Sequence, residues 1–153
     1  MNDSFILRDR KWRETNERVT LSSYAMLSEE SKGRFKKEDQ DPFRTVFERD
    51  RDRIIHSKTF RRLKHKTQVF INPDGDHFIT RMTHTLNVTQ IGRSIAKTLG
   101  LNPDLTEAIC LGHDVGHSPF GHTGEEVLND MLDGGWSHSE NSVKMLSIIE
   151  PLN

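Results

Sequence analysis

A chain of 153 residues with 33% apolar positions is long enough for one ordinary domain and too short for two. Even with its ten glycines added, the apolar share stays below the roughly 45–50% of globular proteins, which predicts a modest or incomplete core. The single Cys110 excludes an internal disulfide, no window nears the ~18 consecutive apolar residues of a membrane span, and the start MNDSFILRDRKWRE is charged where a signal peptide is apolar, so a soluble, cytoplasmic protein is expected.

The net charge of −1 conceals a division, because residues 1–99 hold 21 Lys/Arg against 14 Asp/Glu whereas residues 100–153 hold one Lys against nine acids. A basic half can meet nucleic acid, but a site for phosphate and metal also needs both signs, so composition alone does not choose.

In chain order, residues 1–42 read as an N-terminal arm and a polar linker. The arm has scattered apolar residues without sustained periodicity over 5–27 and some helix. Residues 28–42 are nearly all polar, contain Gly33 and Pro42, and read as a mobile loop or linker. From Pro42 to Val69 the apolar residues Phe43, Val46, Phe47, Ile54, Ile55, Phe60 and Leu63 recur at helical spacings among arginines and lysines, which predicts one or two helices. Asn-Pro and Asp-Gly within residues 70–77 mark a connection or short hairpin. A helix over about 79–99 then places His84, Val88, Ile91, Ile95 and Leu99 on one face, expected to point inward.

Gly100 is a stop, and Asn102-Pro103 is a cap followed by a first-turn proline. In the next helix Leu105, Ile109 and His113 align, so His113 is also expected inward, and Cys110 beside them reads as a small buried thiol. The stretch HSPFGHTG is a shaped loop, a short helix is expected over Gly124 to Leu132, and Ser137 with Glu140 has the spacing of a capping box opening a last helix through Val143, Leu146 and Ile149. No strand pattern is present, and the fold class is all-α.

Two inward histidines on neighbouring helices each need a partner, since an unsatisfied buried polar group costs about 1–3 kcal/mol. A divalent cation is one such partner. Side chains of adjacent helical residues diverge by about 100°, so an ion shared by His113 and Asp114 must sit at the helix end. Imidazole and carboxylate donors suit Mn, Fe, Zn or Ni and can serve Mg or Co. A histidine followed 29 residues later by His-Asp is a weak pattern by itself, and a single such histidine is more often a satisfied core residue. The run GHDVGHSPFGHTGE is stronger, because it gathers His113, His117 and His122 with Asp114 and Glu125 beside turn-forming residues.

The segments RDRIIHSKTFRRLKHKTQVF, GDHFITRMTHTLNVTQIGRSIA and AICLGHDVGHSPFGHTGEEVL, which span over half of the chain, resemble the N-terminal part of the catalytic domain of dGTPase-like deoxynucleoside triphosphate triphosphohydrolases of the HD superfamily. The resemblance implies a partial HD domain over 43–153. It implies His84, His113 and Asp114 as metal ligands for a divalent ion (Mg, Mn or another transition metal), and His122, assisted by Glu125, as the catalytic histidine. It further implies His117 and His138 near the phosphates, Gln68 at the sugar and Arg81 on the phosphates of a dNTP, with dGTP favoured and a homo-oligomer as a candidate assembly. The implied reaction gives deoxynucleoside and inorganic triphosphate. A guanidinium fork suits phosphate oxygens, and imidazole titrates near neutrality as a general acid needs to. From the residues alone, Arg81 reads as a solvated helix position and Gln68 as an ordinary polar one.

HD proteins complete the metal set with a distal aspartate, and after His138 this sequence has only Glu140 and Glu150 as carboxylates, neither in a matching context. A chain truncated before that ligand, with weak metal binding and little activity, is the expectation. The rival readings are another HD phosphohydrolase, a 5′-nucleotidase or phosphodiesterase, and a non-catalytic fragment that binds nucleic acid or a partner through the basic run 49–66, where eight Lys/Arg face two Asp. In that run and just beyond it, Phe60 and Phe70 are expected to pack rather than stack on bases.

Overall fold

The computed structural model describes residues 7–34, 36–66 and 79–149, and among them it is all-α. The elements are α1 (Arg10–Thr20), a 3-10 turn (Ser28–Glu30), α2 (Val46–His56), α3 (Lys58–Arg62) with a 3-10 turn (Leu63–His65), α4 (Arg81–Leu99), α5 (Pro103–Gly112), α6 (Gly121–Met131) and α7 (His138–Lys144), which runs on into a π turn (Met145–Ile149). No described helix is long and apolar enough to cross a membrane. The connection at 70–77, Phe70, Gln68 and Glu150 lie outside the described residues.

Helix α5 is the central element, packed by α2 on one side and α4 on the other. Its boundaries follow the sequence: Gly100 closes α4 in the left-handed region at φ 67°, and the Asn102 side chain accepts from the backbone N–H groups of Asp104 and Leu105, with Pro103 in the first turn. The core is small. Ile54 of α2, Phe60 of α3, Leu63, Ala108 and Leu111 of α5, and Val115 form it, with Met82, Met145 and Leu146 against its edge.

Two expected faces are turned the other way. On α4, Ile91, Ile95 and Leu99 are exposed, and the buried residues are Arg81, Thr85, Thr89 and Ala96. Helices that approach closely select small contacts: a Cβ built on Gly92 would come within 2.8 Å of Cys110 Sγ, which leaves no room for an isoleucine stripe at that interface. Cys110 is accordingly half-buried against α4 rather than fully enclosed. On α5, Ile109 is exposed, and burial falls on Ala108, Leu111 and Gly112. Leu105, Ile109 and His113 instead line an open, mainly apolar groove with Ile54, Val143 and Leu146.

The capping box stands elsewhere than expected. Ser137 caps α7 without a side-chain bond to its backbone, whereas Thr45 and Glu48 form the reciprocal pair at the start of α2. Helix α6 begins at Gly121, three residues earlier than read, so His122 sits in its first turn and the loop shortens to the residues before it. The linker 28–42 has one helical turn and is tied by ion pairs, Glu38 to Arg49 and Arg53, Asp41 to Arg44, and Arg34 to Asp50.

Candidate functional site

The C-terminal end of α5 carries the chemistry. His113 caps that helix and Asp114 follows it, so their side chains leave the last turn together, while His84 reaches them from the first turn of α4. Ligand atoms of His84, His113 and Asp114 lie within 4.8 Å of one another. The Nδ1 of His113 is 2.7 Å from the Cys110 carbonyl. A carbonyl only accepts, so Nδ1 carries the proton and Nε2 keeps its lone pair, 3.6 Å from Asp114 Oδ1. A backbone oxygen that fixes the tautomer of an imidazole is the usual support of a metal-binding histidine, so the residues present fit a divalent ion.

Asp114 is 3% exposed and shares its carboxylate with Arg81, whose Nη1 donates to Oδ2 at 2.9 Å. Desolvation acts to raise the Asp114 carboxyl, but the charges of His113 and Arg81 and the Arg81 hydrogen bond outweigh it and hold it below its ordinary range. Arg81 is itself 4% exposed, and its Nε has no partner. It is therefore no solvated helix residue: one face of the guanidinium holds the aspartate and another is still able to donate.

The second group is built on the loop and on α6. His117 is 2% exposed, both of its ring nitrogens lack a hydrogen-bond partner, and it stacks on His138 at 4.5 Å between ring centroids. Desolvation first, then the Arg81 charge, lowers its pKa to about 4, so it is neutral at pH 7. Glu125 accepts from His122 Nδ1 at 3.1 Å, from His138 Nδ1 at 2.8 Å and from the His138 backbone N–H at 2.9 Å. Burial would raise this carboxyl, yet those hydrogen bonds outweigh it and bring it down to about 2. The His122 side chain is 75% exposed, so its Nε2 faces solvent.

The turn that joins the two groups depends on residues not singled out in the sequence. The Ser142 hydroxyl accepts from Gly116 N–H at 2.9 Å, Asn141 Nδ2 donates to the Gly116 carbonyl, and Lys66 Nζ donates to the His117 carbonyl at 2.6 Å. A Cβ on Gly116 would lie 2.3 Å from Ser142 N, which is why only glycine fits. Nothing in the spacing of Ser142 or Asn141 signals this; Lys66 was visible only as one of eight cations. Of that basic run, Arg49 and Arg53 pair with Glu38, and Arg51 with Asp52 and Asp104. The site residues His84, His113, Asp114, Arg81, His117, His122, Glu125 and His138 thus converge on one end of the molecule, and Gln68 lies outside the described residues.

Comparison with known proteins agrees with this geometry. The HD domain family matches residues 81–153. A deoxyguanosinetriphosphate triphosphohydrolase-like protein of Caldanaerobacter subterraneus subsp. tengcongensis is 64% identical over 130 residues, 85% of this chain and 38% of the relative. Similarly named proteins of Clostridium tetani and Desulfatibacillum aliphaticivorans are 59% identical over 141 residues and 55% over 130, covering 92% and 85% of this chain and 40% and 37% of theirs. The chain spans about two fifths of the length of these curated relatives.

Proposed function

We propose, on the premise that this chain belongs with the HD-domain deoxyguanosinetriphosphate triphosphohydrolase-like proteins, that it carries the metal-binding and proton-donating part of a site that hydrolyses dNTP, dGTP favoured, to deoxynucleoside and inorganic triphosphate. The observation that carries this reading is the convergence of His84, His113 and Asp114 with the His113 tautomer already set for ligation.

A divalent ion held by those three residues would supply Lewis-acid polarisation of a phosphoryl oxygen. The rest falls to the chain's own groups. Asp114 is kept ionised and oriented by Arg81, whose unpaired Nε is a donor for a phosphate oxygen beside it. His122 is anchored through Nδ1 by Glu125, so Nε2 is the exposed nitrogen able to give a proton to the 5′ oxygen as its bond to the α-phosphorus breaks and water adds there. His138, held by the same carboxylate, stands 4.0 Å from Asp114 and closes the gap between the two groups.

The test is product analysis with purified protein, dGTP and Mn2+. Intact triphosphate that disappears in His113→Ala and Asp114→Ala supports the reading. Orthophosphate or pyrophosphate as the product moves the site to another HD phosphohydrolase class, and DNA binding that survives both substitutions without any hydrolysis moves it to a nucleic-acid-binding role.

A further inference from the structure

The imidazoles of His117, His122 and His138 surround a common point that the triad does not use. Their ring centroids are 5.1 Å apart for His117 and His122, 4.5 Å for His117 and His138, and 5.7 Å for His122 and His138. Three imidazoles at about 2.0–2.1 Å from one tetrahedral ion place their ring centres about 5 Å apart. Ligand atoms of the three histidines and Glu125 all lie within 4.8 Å of one another.

Two further observations point to a cation. Glu125 accepts from the Nδ1 of both His122 and His138, which fixes their tautomers and leaves both Nε2 lone pairs for a ligand. His117 is 2% exposed with neither ring nitrogen bonded, a buried polar side chain with nothing to satisfy it. Its stack on His138 must open for both rings to reach one ion, and His117 loses no hydrogen bond in turning.

We propose that His117, His122 and His138, oriented by Glu125, form a second metal site, for a borderline transition ion such as Zn2+ or Co2+ rather than Mg2+ or Ca2+, because the donors are nitrogens on rings fixed by a carboxylate. It shares no ligand with His84, His113 and Asp114, and it adjoins them, since His138 Nε2 is 4.0 Å from Asp114 Oδ1. The inference goes beyond the proposed reaction and does not require it.

The experiment is a Co2+ titration of the full chain, read by visible absorption and by metal content after equilibrium dialysis. Two ions per chain are expected, with the bands of a tetrahedral nitrogen-rich site. His84→Gln is expected to weaken one ion and spare those bands. His122→Gln and, separately, His117→Gln are expected to weaken the other by tenfold or more, with a tenfold excess of Mg2+ failing to displace it. The His122 side chain is exposed, so its replacement tests ligation without disturbing packing. A single ion per wild-type chain overturns the proposal, as do two ions whose affinities both survive His122→Gln and His117→Gln. Loss of an ion in His122→Gln with no effect of His84→Gln upholds the second site and counts against the triad instead.

Discussion

The two ends of the molecule satisfy their polar groups in opposite ways. Around α1, the linker and α2, carboxylates meet guanidinium groups in pairs: Glu48 takes Arg13 and its own helix cap, Glu38 takes Arg49 and Arg53, and Asp41 takes Arg44, with Arg53 Nη1 the one buried side-chain nitrogen there without a partner. At the far end of α5, one carboxylate serves two histidines, another is shared by Arg81 and the triad, and three nitrogens of Arg81 and His117 have no partner at all. The first end is complete within itself. The second holds unmatched donors and lone pairs in a buried setting, which is the arrangement of a place that receives a ligand.

The comparison makes a prediction about energy. Exposed ion pairs are worth about 0–1 kcal/mol each, whereas breaking a buried pair from one side costs about 3–5 kcal/mol. Asp114→Ala, which leaves the Arg81 guanidinium buried and unpaired, is therefore expected to be the most damaging polar substitution, by about 3–5 kcal/mol in metal-free denaturant unfolding. Replacing Arg81 by Met in the same chain should recover most of that loss. If Asp114→Ala costs less than Arg13→Ala at the other end, the contrast between the two ends is wrong.

Gly116→Ala comes next. The added methyl would overlap the backbone of α7 at Ser142, and overpacking of this kind costs about 1–3 kcal/mol. Its specific mark is a displaced α7, seen as changed NMR shifts of His138 beside unaffected residues in α1. A loss of stability with His138 unmoved would show that the turn and α7 are independent. At the paired end, Thr45→Ala removes the cap of α2 and is expected to cost about 1 kcal/mol, checked in the same unfolding assay.

What could be read from the sequence follows from the range of each interaction. Gly100, Asn102 and Pro103 act on their own neighbours, and the ends of α4 and α5 fall where those residues place them. His84, His113 and Asp114 were legible because they stand at the ends of two such helices. The faces of α4 and α5 were not, since the spacing of Ile91, Ile95 and Leu99 marks a helix without saying which neighbour it meets, and the close contact at Gly92 and Cys110 is a tertiary fact. Ser137 and Glu140 matched a cap by spacing alone, while Glu125, which that end of the fold does use, binds His138 from thirteen residues away. The bond between Arg81 and Asp114 joins residues 33 apart, beyond any local rule.

The smallest effect separates the two ends by acid. The folded Glu125 carboxyl, at about 2, lies below the ~4.3 of an unfolded glutamate, so the folded state binds this proton less readily than the unfolded one. Its contribution to stability is then full above about pH 5 and is lost as pH falls from about 4.5 toward 2. Asp41 at the paired end is shifted in the same direction by the backbone N–H groups of Arg44 and Phe43, and further, so its contribution persists to lower pH. On acidification the Glu125 hold on His122 and His138 should weaken before the linker does. The measurement is the stability gap between wild type and Glu125→Gln at steps from pH 6 to pH 2.5, set against the gap for Asp41→Asn. The Glu125 gap is expected to shrink first, and a Glu125 gap that stays constant while the Asp41 gap closes would reverse the order of the two ends.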